Sequence, residues 1–143
     1  MTQVANAPAI EFAGFRRRLV AFIADATIIV AIAMALSSLF PFAENITVRT
    51  IVGIAYHVGF LAWRGQTPGK ILLNVKVIRA DGGLISLGYA LLRFLGYVLS
   101  FVVIGIGFLQ IIYDPRKQGW HDKIADTYVI KLPTAQREVI PAA

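Results

Sequence analysis

Three long apolar stretches dominate the pattern of hydrophobic and polar positions along the chain. They cover residues 19–40, 46–63 and 89–113. At about 1.5 Å per residue, the first stretch would extend roughly 33 Å as a helix, which is enough to cross the hydrocarbon core of a bilayer. The connection between the first two stretches is very short and carries no basic residue. The pattern therefore predicts two antiparallel transmembrane helices at residues 19–40 and 46–63.

The third apolar stretch is interrupted by Ser100, Gly105 and Gly107. Its length allows one full crossing, but the glycines also allow a break between two shorter helices that enter and leave on one side. The arm before the first stretch, the loop after the second and the tail after the third are all rich in Lys and Arg. Because basic residues prefer the cytoplasmic side, a full third crossing would misplace the tail. We therefore expect a broken or re-entrant stretch around residues 103–107.

Two short polar segments alternate apolar and polar side chains. Residues 74–79 and 127–131 are rich in β-branched residues, which is typical of strands. We expect them to pair antiparallel on the cytoplasmic face, and two independent extended loops are the alternative. The predicted fold class is an all-α membrane protein with two transmembrane helices, a third broken or re-entrant hydrophobic helix and a small cytoplasmic two-stranded β element. This membrane domain covers residues 13–131, between a cytoplasmic arm (1–12) and a flexible tail (132–143).

Composition supports a membrane protein over a soluble one. Of the 143 residues, 57% are hydrophobic and 15% are charged, whereas soluble domains have about 25% charged residues. The formal net charge of +6 is better explained by membrane orientation than by nucleic acid, because no basic domain lies outside the apolar segments. We expect a multi-pass protein of the cell inner membrane with a cytoplasmic N-terminus. Cysteine is absent, and neither a metal nor a cofactor is expected.

Asp25 is the most informative polar residue, since it lies inside the first apolar stretch. A charged group at the centre of a membrane helix costs about 2.5–3.5 kcal/mol on insertion scales. Asp25 follows Arg18 by seven residues, so it lies roughly 10 Å deeper and on the same helix face. Arg93 enters the third stretch at a comparable depth, and we expect it to cluster with Asp25 and with Arg18 or Lys70. Asp122 is a further candidate member of this charge cluster. Such a cluster is either an ion or proton site or a charge pair that fixes helix packing.

Two further segments contain candidate chemistry. Residues 67–70 (Thr-Pro-Gly-Lys) lack the first glycine and the final hydroxyl residue of a phosphate loop. We expect a turn there that presents Lys70, together with Arg64, to lipid headgroups. His121 and Asp122 could perform acid–base chemistry, but no nucleophile is evident, so an enzyme is not predicted. Asp122 is expected to accept hydrogen bonds from a backbone turn or an arginine.

Together these residues resemble the signatures of the RDD family of small bacterial membrane proteins, which is named for an arginine and two aspartates. The first match is Gly14-Phe15 followed by Arg18, Ala21 and Asp25. The middle match is residues 65–70, 75–77 and 81–82, and the last is residues 91–94, 114–123 and 127. The name-giving positions correspond to Arg18, Asp25 and Asp122. The likeness covers about residues 13–131 and departs at Arg16 and Asp126, where an aromatic and a small residue are common.

The resemblance implies a membrane location, but it leaves the activity open. The family is described as a domain of uncertain function that is suspected of transport, and some members are reported to be sodium/proton antiporters. It therefore implies a small transporter, or a transporter subunit, that exchanges cations and protons around Asp25. Two or three spans enclose little space, so such a transporter would act as a homo-oligomer or with a partner membrane protein. The alternative is a non-catalytic module that binds a partner protein or anionic lipid through basic cytoplasmic residues: Arg64, Lys70, Lys76 and Arg79.

Overall fold

The computed structural model describes residues 10–103 and 105–133. Six α-helices and two strands make up this part of the chain. In chain order they are α1 (Phe15–Leu39), α2 (Ile46–Arg64), α3 (Pro68–Leu72), β1 (Val75–Arg79), α4 (Leu87–Val102), α5 (Ile106–Tyr113), α6 (Trp120–Ile124) and β2 (Thr127–Lys131). A short 3-10 turn joins α1 to α2. Most of the predicted arm (1–12) and tail (132–143) lies outside the described residues.

Local sequence explains where the two long helices end and begin. Pro41 disfavours helical backbone at the residue before it, and α1 ends at Leu39. Asn45 caps α2, because its side chain accepts a hydrogen bond of 2.8 Å from the Thr47 amide. Gly65 ends α2 in the left-handed conformation, with φ of 67°, which glycine adopts without strain.

Helix α1 turns most of its apolar side chains outward. Ala21 and Asp25 are the residues of α1 that the structure buries, whereas Met34 is 68% exposed. Such a surface is unfavourable in water but suits a lipid environment. Helices α1 and α2 are both long and apolar enough to cross a membrane, and α4 with α5 would add a third span if the bent pair is counted as one. The structure therefore confirms a mostly helical fold with two or three candidate membrane helices.

The third apolar stretch is broken, as predicted. Helix α4 ends at Val102, α5 starts at Ile106, and the two helices are inclined by 103°. Gly105 caps α5 with φ of 75°, a left-handed conformation that favours glycine. The break therefore occurs where the sequence offers a residue without a side chain.

The antiparallel pairing of the two predicted strands is also confirmed. Val77 of β1 lies opposite Val129 of β2. The N-terminal segment adds to the other edge of β2, where Phe12 forms a bridge with Ile130 and the Ala13 amide donates to the Val129 carbonyl at 2.8 Å. Because three distant parts of the chain meet in one sheet, they lie on the same side of any membrane that α1 and α2 cross.

The apolar core lies between this sheet and the adjoining parts of α2 and α4. Its buried members include Leu61, Val75, Val77, Ala90 and Val129. Burying them anchors the sheet end of the helices as one packed unit. The buried charged residues described below lie close to this core.

Candidate functional site

The first buried carboxylate is Asp25, which is 3% exposed. It accepts hydrogen bonds from the Tyr56 hydroxyl (2.9 Å), the Thr67 hydroxyl (2.5 Å) and the Gly69 amide (2.8 Å). The Lys70 ammonium lies 4.0 Å from the carboxylate. Both oxygens of Asp25 are therefore engaged, by residues of α2, of α3 and of the position just before α3.

The sequence of α3 explains this arrangement. Pro68 occupies the first position of the helix, where its missing N–H is tolerated. A Cβ added to Gly69 would lie 2.8 Å from Cγ of Asp25 and would overlap the Ala21 carbonyl oxygen. Glycine thus lets α3 approach α1 closely enough to cradle the carboxylate.

Lys70 was expected to face lipid headgroups, but the structure buries it. Its exposure is 7%, because α3 packs on α1 and directs the ammonium toward Asp25. Its hydrogen bond to the Thr67 hydroxyl is long, at 3.4 Å. Arg64, the other predicted headgroup contact, is exposed and places its guanidinium 4.8 Å from the ring centre of Trp63. Of the two predicted contacts, Arg64 therefore lies at the surface.

The second buried carboxylate, Asp122, is paired with two arginines. It forms ion pairs with Arg18 and Arg93 and accepts a hydrogen bond of 3.0 Å from the Gly119 amide. Burial alone would raise the pKa of Asp122, but the adjoining His121 ring, 3.5 Å away, and the guanidinium charges of Arg93 and Arg18 hold this pKa well below its usual range. Asp122 is therefore ionised at neutral pH.

The two arginines connect Asp122 to the rest of the fold. Arg93 also donates to the Thr127 hydroxyl at 2.6 Å and to the Tyr97 hydroxyl at 3.2 Å. Arg18 donates to the backbone carbonyls of Ala13, at 2.9 Å, and Lys117. The set of Arg18, Arg93, Asp122 and Thr127, which we call the Asp122 network, links α1, α4, α6 and β2.

The single charge cluster expected from sequence is therefore two separate groups. Arg18 and Arg93 pair with Asp122, whereas Asp25 is matched with Lys70. The reason is geometric, since the fold brings Asp122 to within hydrogen-bonding distance of Arg18, 104 positions away in the chain. Sequence reasoning also missed Tyr56 as a partner of Asp25. The available signal was a hydroxyl inside an apolar span, which usually needs a hydrogen-bond partner.

A cavity of about 370 Å³ joins the two groups. Six residues with polar side-chain atoms line it: Arg18, His57, Lys70, Arg93, Tyr97 and His121. The His121 ring stacks on Tyr97 with 4.3 Å between ring centres. Burial lowers the pKa of His121 to about 3, so this side chain is neutral at physiological pH. Within residues 10–103 and 105–133, no three His, Asp or Glu side chains form a group suited to a metal ion.

Outward-facing apolar helices with a buried charge system at one end define a helical membrane protein. The chain belongs to the RDD family, whose sequence profile matches residues 12–126. It is 31% identical over 90 residues to the uncharacterized protein YxaI of Bacillus subtilis (strain 168), covering 62% of this chain and 59% of that protein. It is 32% identical over 91 residues to the uncharacterized protein RP437 of Rickettsia prowazekii (strain Madrid E), covering 63% of this chain and 48% of that protein. The chain thus spans about half the length of these relatives, and no solved structure matches it.

Proposed function

We propose that this chain is a non-catalytic, multi-pass module of the cell inner membrane that binds anionic lipid through a basic face at the sheet end. The observation that carries the proposal is that both buried carboxylates are already engaged by cations and hydrogen-bond donors, while basic residues at the sheet end remain at the surface. A cation path would instead need carboxylates that are open to an ion. Basic surface residues beside a membrane attract anionic headgroups.

The basic face consists of Arg16, Arg17, Arg64 and Lys76. Arg17 donates to the carbonyl of Leu73, just before β1, at 3.3 Å. The Lys76 side chain packs beside the end of α2, next to Arg64. The start of α1, the end of α2 and the start of β1 therefore carry these charges at the same end of the helices. Each such residue near an anionic surface contributes about 1 kcal/mol.

The same charge distribution supports an orientation. The turn between α1 and α2 carries one charged residue, Glu44, and the first basic residue of α2 is Arg49, whereas the sheet end has many basic ones. The positive-inside rule then assigns the sheet end and the N-terminus to the cytoplasm. In this arrangement α1 and α2 cross the membrane, and α4 and α5 enter and return on the cytoplasmic side.

Thiol labelling tests this orientation, because the natural chain has no cysteine. A membrane-impermeant maleimide applied to intact cells should label Phe42→Cys, at the turn, and should label Lys131→Cys only after the membrane is opened. Labelling of Lys131→Cys in intact cells, with Phe42→Cys protected, would reverse the orientation. Labelling of both in intact cells would refute the two-crossing arrangement.

Lipid binding is tested in vesicles of phosphatidylcholine with a minor fraction of phosphatidylglycerol. We expect phosphatidylglycerol to be enriched around the protein, as measured by native mass spectrometry of the extracted complex. A variant with Arg16, Arg17 and Arg64 changed to glutamine should lose about 3 kcal/mol of headgroup attraction and most of the enrichment. The matched control is Arg79→Gln, because Arg79 is already paired with Asp81. Equal enrichment in all three proteins would refute the proposal.

Cation–proton exchange by an oligomer is the second candidate, and it rests on the looser of the two charge groups. Lys70 lies 4.0 Å from Asp25, so a cation could take its place only if the lysine moved away. In proteoliposomes, this mechanism requires Asp25→Asn to abolish sodium-driven proton flux. Equal flux in wild type and variant would remove Asp25 from any exchange mechanism.

A further inference from the structure

The cavity has two chemically distinct ends. Its polar end is lined by Arg18, His57, Lys70, Arg93 and His121. The other end is apolar and includes Leu19, Phe22, Phe101 and Leu109. These apolar side chains are also exposed on the outer surface of the helices. The cavity therefore runs from the lipid-facing surface of α1, α4 and α5 to a buried set of cations.

The charges at the polar end do not balance. Asp122 is shared by Arg18 and Arg93, and Asp25 faces Lys70. The polar end thus has three cations and two carboxylates. His121 places its Nε2 atom 3.5 Å from Asp122, but it adds no charge because it is neutral at physiological pH. Lys70 has three donors but makes one long hydrogen bond. A surplus buried positive charge is costly unless an anion compensates it.

Three buried nitrogen atoms on residues that line the cavity have no hydrogen-bond partner in the described part of the chain. They are Nε2 of His57, Nε of Arg93 and Nδ1 of His121. Buried polar atoms are usually satisfied, so a group of unsatisfied ones next to a cavity leaves hydrogen-bonding capacity for a ligand or for water. The Arg93 Nε is a donor only, which suits an acceptor oxygen.

We propose that this cavity binds the anionic head and the first methylene groups of a single acyl chain, with the head at Lys70 and Arg93. The chain leaves the cavity between α1 and α5, along Leu19 and Leu109, and continues into the bilayer. The volume falls within the range of small-molecule sites, so it admits one chain end and not a whole diacyl lipid. A free fatty acid joins its carboxylate directly to the methylene chain, whereas an anionic phospholipid, the other source of an anionic group and an acyl chain, separates the two by an esterified glycerol. The inference rests on the proposed function, since it adds an internal site to a lipid-binding module.

Binding of radiolabelled palmitate to the purified full-length protein in neutral detergent tests the proposal. We expect saturable binding that hexadecanol, which has the same chain without the charge, does not displace. Lys70→Met removes one of the three cations at the polar end and should weaken binding about tenfold or more. Arg49→Met removes an exposed cation that lies outside both the cavity and the basic face, so this variant should bind palmitate like wild type.

A second variant covers the case in which Lys70→Met does not fold. Leu109→Trp keeps every charged residue and narrows the apolar end, so it should also lose palmitate binding. Competition by phosphatidylglycerol identifies the phospholipid as a source of the ligand, and its failure to compete identifies the free fatty acid. Absent palmitate binding, equal displacement by hexadecanol, or unchanged binding in both cavity variants would overturn the inference. A failure of the cavity proposal can be told apart from a failure of the basic-face proposal. Lys70→Met should retain the phosphatidylglycerol enrichment around the protein, whereas the triple glutamine variant should lose it.

Discussion

Replacing Asp122 by asparagine isolates the energetic role of the Asp122 network. The substitution keeps the size of the side chain but removes its charge. Asp122 is 0% exposed and pairs with Arg18 and Arg93, which are themselves buried or nearly so. Removing one partner of a buried ion pair costs about 3–5 kcal/mol, because the remaining charge has no compensation. Since two guanidinium groups lose their partner here, we expect the upper part of that range.

The assay is unfolding in mixed micelles with increasing dodecyl sulfate, followed by far-UV circular dichroism. Asp81→Asn is the matched control, because Asp81 is 57% exposed and its pair with Arg79 is on the surface. Such surface pairs contribute about 0–1 kcal/mol. Adding Arg18→Gln to Asp122→Asn removes one stranded charge and should recover part of the loss. A loss below about 1 kcal/mol for Asp122→Asn, similar to that of the control, would refute the reasoning.

Two further predictions concern packing and pH. Gly69→Ala should destabilise the protein by about 1–3 kcal/mol because the new methyl group overlaps α1. Gly59→Ala is the control and should cost no stability, because the space around the added methyl group is open. Equal stability of the two variants in the same assay would contradict the close approach of α3 to α1. The pKa of His121 is about 3 in the folded state and about 6.5 in the unfolded state, so between these values the unfolded chain binds one more proton than the folded one. The free energy of unfolding should therefore fall by about 2 kcal/mol from pH 6.5 to pH 5. The variant His121→Gln should lack this decline, and an identical pH dependence in both proteins would contradict a buried neutral histidine.

The sequence by itself determined the features that depend on local pattern. The apolar run in residues 19–40 predicted α1, and the glycines near residue 105 predicted the break between α4 and α5. The alternation in residues 127–131 predicted β2 and, with its partner, the antiparallel pair. These features were accessible because hydrophobic periodicity, length and backbone preferences act between neighbouring residues. The short helices α3 and α6 were not predicted, since their few residues carry too little periodicity.

Only the tertiary structure decided which charges meet. From sequence, Arg18, Arg93 and Lys70 were all candidate partners of Asp25, and spacing could not rank them. In the fold, both arginines pair with Asp122, and Asp25 lies beside Lys70 of the segment that follows α2. The physical reason is that ion pairing depends on distances of a few ångströms between side chains that are far apart in the chain. Those distances are set by how the sheet gathers the N-terminal segment, β1 and β2 at one end of the helices.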